Sequence, residues 1–170
     1  HEDHIGALPY IAKKIPAPIY AAPFTKGLIS LKLEEHGIRN IPLNSIKDGD
    51  VLKFGDIRIE PFAVTHSIPD ALGFSIRTPS QTPGGKSTHI VWTGDWKWDP
   101  TPVAGKAIDE ERLTRWGKEG VDILFADSTN AERAGSTISE KEIGKSFKEI
   151  FSKARGRVIL ATFASQIHRV

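Results

Sequence analysis

The apolar positions of this chain come in short blocks whose period switches between helical and extended, the pattern of a layered α/β protein. Residues 5–14 read as a helix and residues 17–21, Ala-Pro-Ile-Tyr-Ala, as a short buried strand. Thr25 can cap a second helix that carries Leu28 and Leu31 on one face and stops at His36-Gly37, where glycine takes the left-handed position past the helix end. Residues 51–54 and 57–64 flank a Gly55-Asp56 turn and read as a hairpin. Residues 73–78 and 89–94 form a further pair of strands, joined by the Pro/Gly/Ser-rich loop 79–87. From 96 to 120 the pattern is mixed and turn-rich, with Pro100, Pro102 and Gly105 marking loop. Residues 121–126, Val-Asp-Ile-Leu-Phe-Ala, read as a buried strand ending at Asp127. Thr137 or Ser139 then caps a helix, with Glu140 or Glu142 as the capping-box partner and Ile143, Phe147, Ile150 and Phe151 as its apolar stripe. Residues 157–164 read as a last strand, after which Ser165-Gln166-Ile167-His168 opens something new.

Composition narrows this picture. With 170 residues and 39% hydrophobic content, one compact core is expected. The chain contains no methionine, so an unprocessed translation product is not expected. No apolar run approaches the roughly 20 residues needed to span a bilayer, and no membrane association is expected. Zero cysteines exclude disulfides and thiolate metal sites, so any metal must be held by nitrogen and oxygen. A formal charge of +2 falls far short of the dense basic stripe of a dedicated nucleic-acid binder; it neither demands nor forbids an RNA substrate.

The candidate chemistry lies at strand ends. His1, Asp3 and His4 precede the first helix, His66 follows the strand 57–64, and Asp95 follows the strand 89–94. In a layered α/β fold such ends converge on one edge, where three imidazoles and two carboxylates can hold a pair of divalent cations, and such a pair stabilises both the attacking and the leaving oxygen of a phosphoryl displacement. His36, in the last turn of a helix, and His89, at a strand start, read as structural.

Five blocks give the chain a specific resemblance. His1-Glu2-Asp3-His4-Ile5-Gly6, Thr65-His66-Ser67-Ile68-Pro69-Asp70, Thr93-Gly94-Asp95-Trp96-Lys97-Trp98-Asp99, Asp127-Ser128-Thr129-Asn130-Ala131-Glu132-Arg133 and Phe163-Ala164-Ser165-Gln166-Ile167-His168-Arg169 resemble successive blocks of the ribonuclease J family, in the β-CASP branch of the metallo-β-lactamase superfamily. The first and third belong to the superfamily at large; the other three are narrower. The resemblance implies an αββα sandwich, N-terminally incomplete, over residues 1–156, and the truncated start of a β-CASP domain over residues 157–170. The first histidine of the family's HxHxDH pattern would fall two residues before His1, and a further metal-binding histidine would fall beyond Val170.

The resemblance also implies roles. His1 and His66 would serve one metal, Asp3 and His4 the other, with Asp95 bridging; the ions would be Zn²⁺, with Mn²⁺ as the alternative. Asp3, Asp95 and Asp127 would be the catalytic carboxylates. Asp127 would orient a later histidine that protonates the leaving group, and its competing reading is a turn cap in Asp127-Ser128-Thr129-Asn130. Trp96 and Trp98 stand where the family usually has Phe and are read as packing residues, as is His168. The implied activity is hydrolysis of RNA phosphodiester bonds, endonucleolytic or 5′-to-3′ exonucleolytic, in cytoplasmic RNA maturation and decay by a homo-oligomeric full-length protein; the chain alone is expected to be inactive. Another hydrolase of the same fold would lack the blocks at Asp127 and at 163–169, and an inactive RNA-binding subunit would have no need to keep five ligands.

Overall fold

The computed structural model describes residues 1–169; Val170, the last residue of the expected β-CASP segment, lies outside the described residues. The N-terminal helix is broken in two, α1 over Glu2–Ile5 and α2 over Leu8–Lys14, rather than running continuously from residue 5. Pro9 accounts for the break: it has no N–H to donate one turn back, so it is tolerated only in the first turn of a new helix. Strand β1 (Ile19–Ala21) leads into α3 (Pro23–Glu35) and then into β2 (Leu43–Ser45), which pairs parallel with β1. The three-residue β2 was not expected from the sequence, being too short to carry a period.

Helix α3 corrects two expectations. Its N-cap is Ala22, not Thr25, because Pro23 supplies the preset φ of a first helical residue. Its buried residues are Ile29 and Leu33, four apart, whereas Leu28 and Leu31 face outward. The helix does stop at His36, and Gly37 takes φ +69°. Ile29 and Leu33 join Ile5, Ala12 and Ala21 in the first of two cores.

The second core belongs to a five-stranded mixed sheet with strands in sequence order, β3 (Leu52–Phe54), β4 (Ile57–Ala63), β5 (Leu72–Thr78), β6 (Thr88–Trp92) and β7 (Ile123–Phe125). The first four are antiparallel neighbours and β7 joins β6 parallel. Gly73 pairs with Phe62 across β4 and β5, where a Cβ would lie 2.5 Å from the Phe62 ring and 2.8 Å from the Trp92 carbonyl oxygen. A side chain there would force the sheet apart.

The parallel β6–β7 connection contains α4 (Glu110–Glu119), in a stretch expected to be irregular. Asp109 caps it by accepting from the Arg112 N–H at 2.9 Å, and Trp116 is buried against Phe62 and His89. Phe62, Val64, Val91 and Trp116 form the core, with Leu113 and Trp96 packed on it.

The C-terminal region departs from the expected pattern. β7 is not buried: Ile123, Leu124 and Phe125 are all exposed, because β7 is the sheet edge among the described residues. Helix α5 (Glu140–Lys153) starts at Ser139, whose hydroxyl accepts from the Lys141 N–H, as one of the two expected caps. Ile150 and Phe151 of its apolar stripe are exposed. Residues 157–164 form no strand, since a strand needs a partner to complete its ladder and here none is paired; a 3₁₀ turn over Ile167–Arg169 follows. No helix among the described residues is long and apolar enough to cross a membrane.

Candidate metal centre

β4 and β6 are neighbours on either side of β5, β4 running parallel to β6, so the loops that follow both leave the same edge of the sheet. His66 sits three residues past the end of β4, and Asp95 three residues past the end of β6. Gly94 makes the turn from β6 into Asp95, with φ +61°, a conformation that a side chain at this position would strain. Asp70, in the loop after His66, is the one non-glycine residue with positive φ among the described residues, at 57°, an unusual conformation of the kind that concentrates at functional loops. Reciprocal bonds tie the two loops: the Lys97 N–H donates to the Thr65 carbonyl at 2.7 Å and the Thr65 hydroxyl donates to the Lys97 carbonyl.

Asp95 lies at the centre. The Nδ1–H of His1 donates to its Oδ2 at 2.9 Å, and the Nε2–H of His4 donates to its Oδ1 at 3.0 Å, so each carboxylate oxygen faces a different imidazole. With His1 protonated on Nδ1, its neutral Nε2 accepts from the Ser67 hydroxyl at 3.0 Å. The same hydroxyl lies 3.3 Å from Nδ1 of His66, and the rings of His1 and His66 meet edge-on with centroids 4.8 Å apart. Asp3 approaches His4 Nε2 to 3.6 Å.

The donors fall into two sets that share Asp95: His1, His66 and Asp95, and Asp3, His4 and Asp95, with the ligand atoms of each set within 4.8 Å of one another. The donors are imidazole nitrogen and carboxylate oxygen without thiolate, which suits zinc or manganese. Burial holds the His66 imidazole below its ordinary pKa against the opposing pull of Asp95 and Asp127, so His66 stays neutral and its lone pair available.

Asp127 follows β7 and lines a small pocket of about 230 Å³ together with His4 and Asp95. Its Oδ1 accepts from both the hydroxyl of Thr129, at 2.6 Å, and the Thr129 N–H, at 2.8 Å, and these bonds hold its carboxyl below the usual range. The turn cap is therefore present, and the Trp96 backbone N–H adds to it from the loop that follows Asp95. A broad cleft of about 1330 Å³ opens beside the rim, with Asp3, His66, Asp95 and Asp127 on its wall.

The aromatic pair divides: Trp96 packs on the sheet core as expected, whereas Trp98 is 49% exposed and meets Trp96 edge-on, so packing does not describe it. His168 is half-buried on the cleft wall. His36 bonds the Lys32 carbonyl from Nδ1, and buried His89 is held by Ser75 and the Gly120 carbonyl, so both are structural. Sequence reasoning missed Ser67, which orients His1, and Lys97 and Thr65, which join the ligand loops. All three stand inside blocks already singled out, but nothing in a block says which letter braces its neighbour.

Comparison with known proteins places the chain. No family model matches it. It is 46% identical to ribonuclease J of Thermus thermophilus over 178 aligned residues, covering 100% of this chain and 30% of that protein. It is 41% identical to ribonuclease J of Helicobacter pylori, covering 100% of this chain and 24% of that protein, and 44% identical to ribonuclease J 1 of Streptococcus pyogenes, covering 100% and 29%. The chain thus spans less than a third of the length of these curated relatives. Among solved structures it resembles a protein of unknown function from Enterococcus faecalis V583, with TM-score 0.61 and 19% identity over 89% of this chain and 37% of that one. It also resembles a B3 metallo-β-lactamase with an active-site glutamic acid, with TM-score 0.50 and 20% identity over 88% and 62%. The structural likeness identifies the metallo-β-lactamase fold, and identity above 40% through every residue of the chain means that it belongs to the ribonuclease J family.

Proposed function

We propose that this chain supplies the two-metal rim of a ribonuclease that hydrolyses RNA phosphodiester bonds. The observation that carries this reading is Asp95, whose two carboxylate oxygens each face a different imidazole, so that one carboxylate serves two donor sets. The relatives named ribonuclease J supply the substrate class. His1, His66 and Asp95 would hold one divalent cation and Asp3, His4 and Asp95 the other, zinc by the donor chemistry and manganese as the alternative. Two cations bound there would supply Lewis acidity for activating water and for the charge that builds on the phosphate.

The chain's own residues do the rest. Ser67 fixes the His1 ring by donating its hydroxyl to Nε2, and the Thr65–Lys97 pair keeps the His66 and Asp95 loops in register. Asp127, held in place by Thr129 and by the Trp96 backbone N–H, would present its carboxylate to orient a proton donor at the leaving group. The cleft beside the rim, about 1330 Å³, would take the RNA strand on this reading. On this reading residues 1–156 are the metallo-β-lactamase domain and residues 157–170 open a β-CASP domain. The whole protein, a homo-oligomer, would act in the cytoplasm as an endonuclease, a 5′-to-3′ exonuclease or both, in RNA maturation and decay, with this chain inactive alone.

Chelation tests it. The whole protein, stripped with EDTA and dialysed, should lose cleavage of a 5′-labelled RNA and regain it with two equivalents of zinc or manganese. Cleavage that persists after measured metal content has fallen to zero would overturn the reading.

A further inference from the structure

Glu140 lies outside every block of the family resemblance, yet it joins three segments that carry or flank those blocks. It is the first residue of α5, its side chain is only 11% exposed, and it faces two cations. Arg169 grips it with two parallel bonds, Nε to Oε2 at 2.9 Å and Nη2 to Oε1 at 2.8 Å, and the Lys97 ammonium donates to Oε1 at 2.9 Å. Those charges hold its carboxyl down to about 2, the Arg169 bonds contributing most. Its backbone N–H donates to buried Asp99 at 3.1 Å, while Ser139 and Thr101 exchange bonds beside it. The start of α5 is thereby fastened to the loop 97–101.

Lys97 is where this fastening reaches the rim. Its ammonium is held by Glu140; its backbone makes the reciprocal pair with Thr65; it follows Asp95 by two residues, and Thr65 directly precedes His66. A residue fixed at one end by a largely covered carboxylate and at the other by two bonds to its backbone leaves both ligand loops little room to drift. Arg169, in the 3₁₀ turn, locks the carboxylate from the other side and gives a use to a residue of the block 163–169 that the metal site itself does not explain.

We infer that Glu140 is a positioning residue: by clamping Lys97 it sets the separation of the loops that bear His66 and Asp95, and so the affinity of the rim for metal. The inference rests on the two-metal reading. Loss of a partner that bonds a ligand directly costs metal sites about 10–100-fold in affinity; Glu140 acts one contact further out, which places its expected effect at the lower end of that range.

The experiment uses the whole protein as parent, Glu140→Gln, Lys97→Met and the double variant, with zinc affinity read by competition with a chromophoric chelator, alongside melting temperature and RNA cleavage kinetics. Each single variant should bind zinc at least about 10-fold more weakly, with kcat reduced and KM near the parent value. The double variant should be no worse than either, because both break one clamp. Parental zinc affinity and kcat in the single variants, with only the melting temperature lowered, would overturn the clamp and leave Glu140 a structural residue. If Glu140→Gln does not fold, Lys97→Met alone decides by the same readings. A parent that takes up no zinc would instead overturn the two-metal reading itself, and this inference with it.

Discussion

The two donor sets around Asp95 are built by different means. His1 and His66 are half-buried, come from segments 65 residues apart and are braced by a common hydroxyl on Ser67, which is itself buried. Asp3 and His4 are consecutive, exposed and carried on the four-residue α1; the Asp3 side chain is 76% exposed. In the first set His66 is carried by the loop after β4, and His1, the N-cap of α1, is held by its bonds to Asp95 and Ser67; the second set is held mainly by the bond from His4 to Asp95. Preorganisation thus falls on one side of the rim. A ligand whose rotamer is already fixed loses less freedom on taking up an ion, so the His1–His66 set should bind first and more tightly.

Asp95→Asn should have the largest effect, because Asp95 is the member common to both sets and no asymmetry survives its loss. Outer-partner losses cost metal sites about 10–100-fold; a charge shared by both ions should cost more, lowering zinc stoichiometry below one per chain and turnover beyond detection. The fold should persist, since the cores lie elsewhere. Circular dichroism, metal analysis and RNA cleavage on one preparation check this; normal turnover in a folded, Asn-bearing enzyme removes Asp95 from the mechanism.

The asymmetry itself is tested by His66→Ala against Asp3→Ala. Titration with zinc should give two steps in the parent. His66→Ala should remove the tighter step, and Asp3→Ala should weaken the looser one by about 10-fold while leaving the tighter step in place. Equal losses at both steps in both variants would mean that the rim behaves as one unit and that burial on the His66 side confers no advantage.

Legibility in the sequence follows the same division between what is local and what is braced from afar. The hairpin at Gly55-Asp56, the β5–β6 pair and the Ser139 cap were readable because their signals, a tight turn, an apolar run and a capping side chain, lie within a few residues. The metal donors were readable because residue type and strand-end position are both visible in the chain, and the fold brings them to one edge. Helix α4 was not, because only Leu113 and Trp116 interrupt a charged stretch that also contains Gly117. The α3 face was misassigned because Leu28, Ile29, Leu31 and Leu33 are all apolar and only the neighbouring β1–β2 pair decides which of them is covered. The run 157–164 has the composition of a strand, but pairing is a property of the partner. Glu140 was invisible for a related reason: a capping-box glutamate is expected to turn back to its own helix, and this one reaches Lys97 and Arg169 instead.

The smallest expected effect, and the one that places Asp127 beside or outside the rim, comes from two substitutions at that position. Thr129 donates twice to one oxygen of Asp127, a contact an Asn side chain can keep through its amide oxygen and an Ala cannot. Asp127→Ala should therefore lose stability of about 1 kcal/mol, while Asp127→Asn should melt near the parent temperature. Because Thr129 holds the folded carboxyl below its ordinary 3.8, the cap's contribution is present above that pH and is lost as pH falls through the lower folded value, so the Ala penalty should shrink in strong acid. Activity separates the readings where stability cannot. If Asp127 orients a proton donor, Asp127→Asn removes the charge but not the cap, and turnover should fall by about 10²–10⁴-fold with zinc content and melting temperature unchanged. Full cleavage by the Asn variant would confine Asp127 to its turn, leaving the two donor sets of Asp95 as the whole of the chemistry on this edge of the sheet.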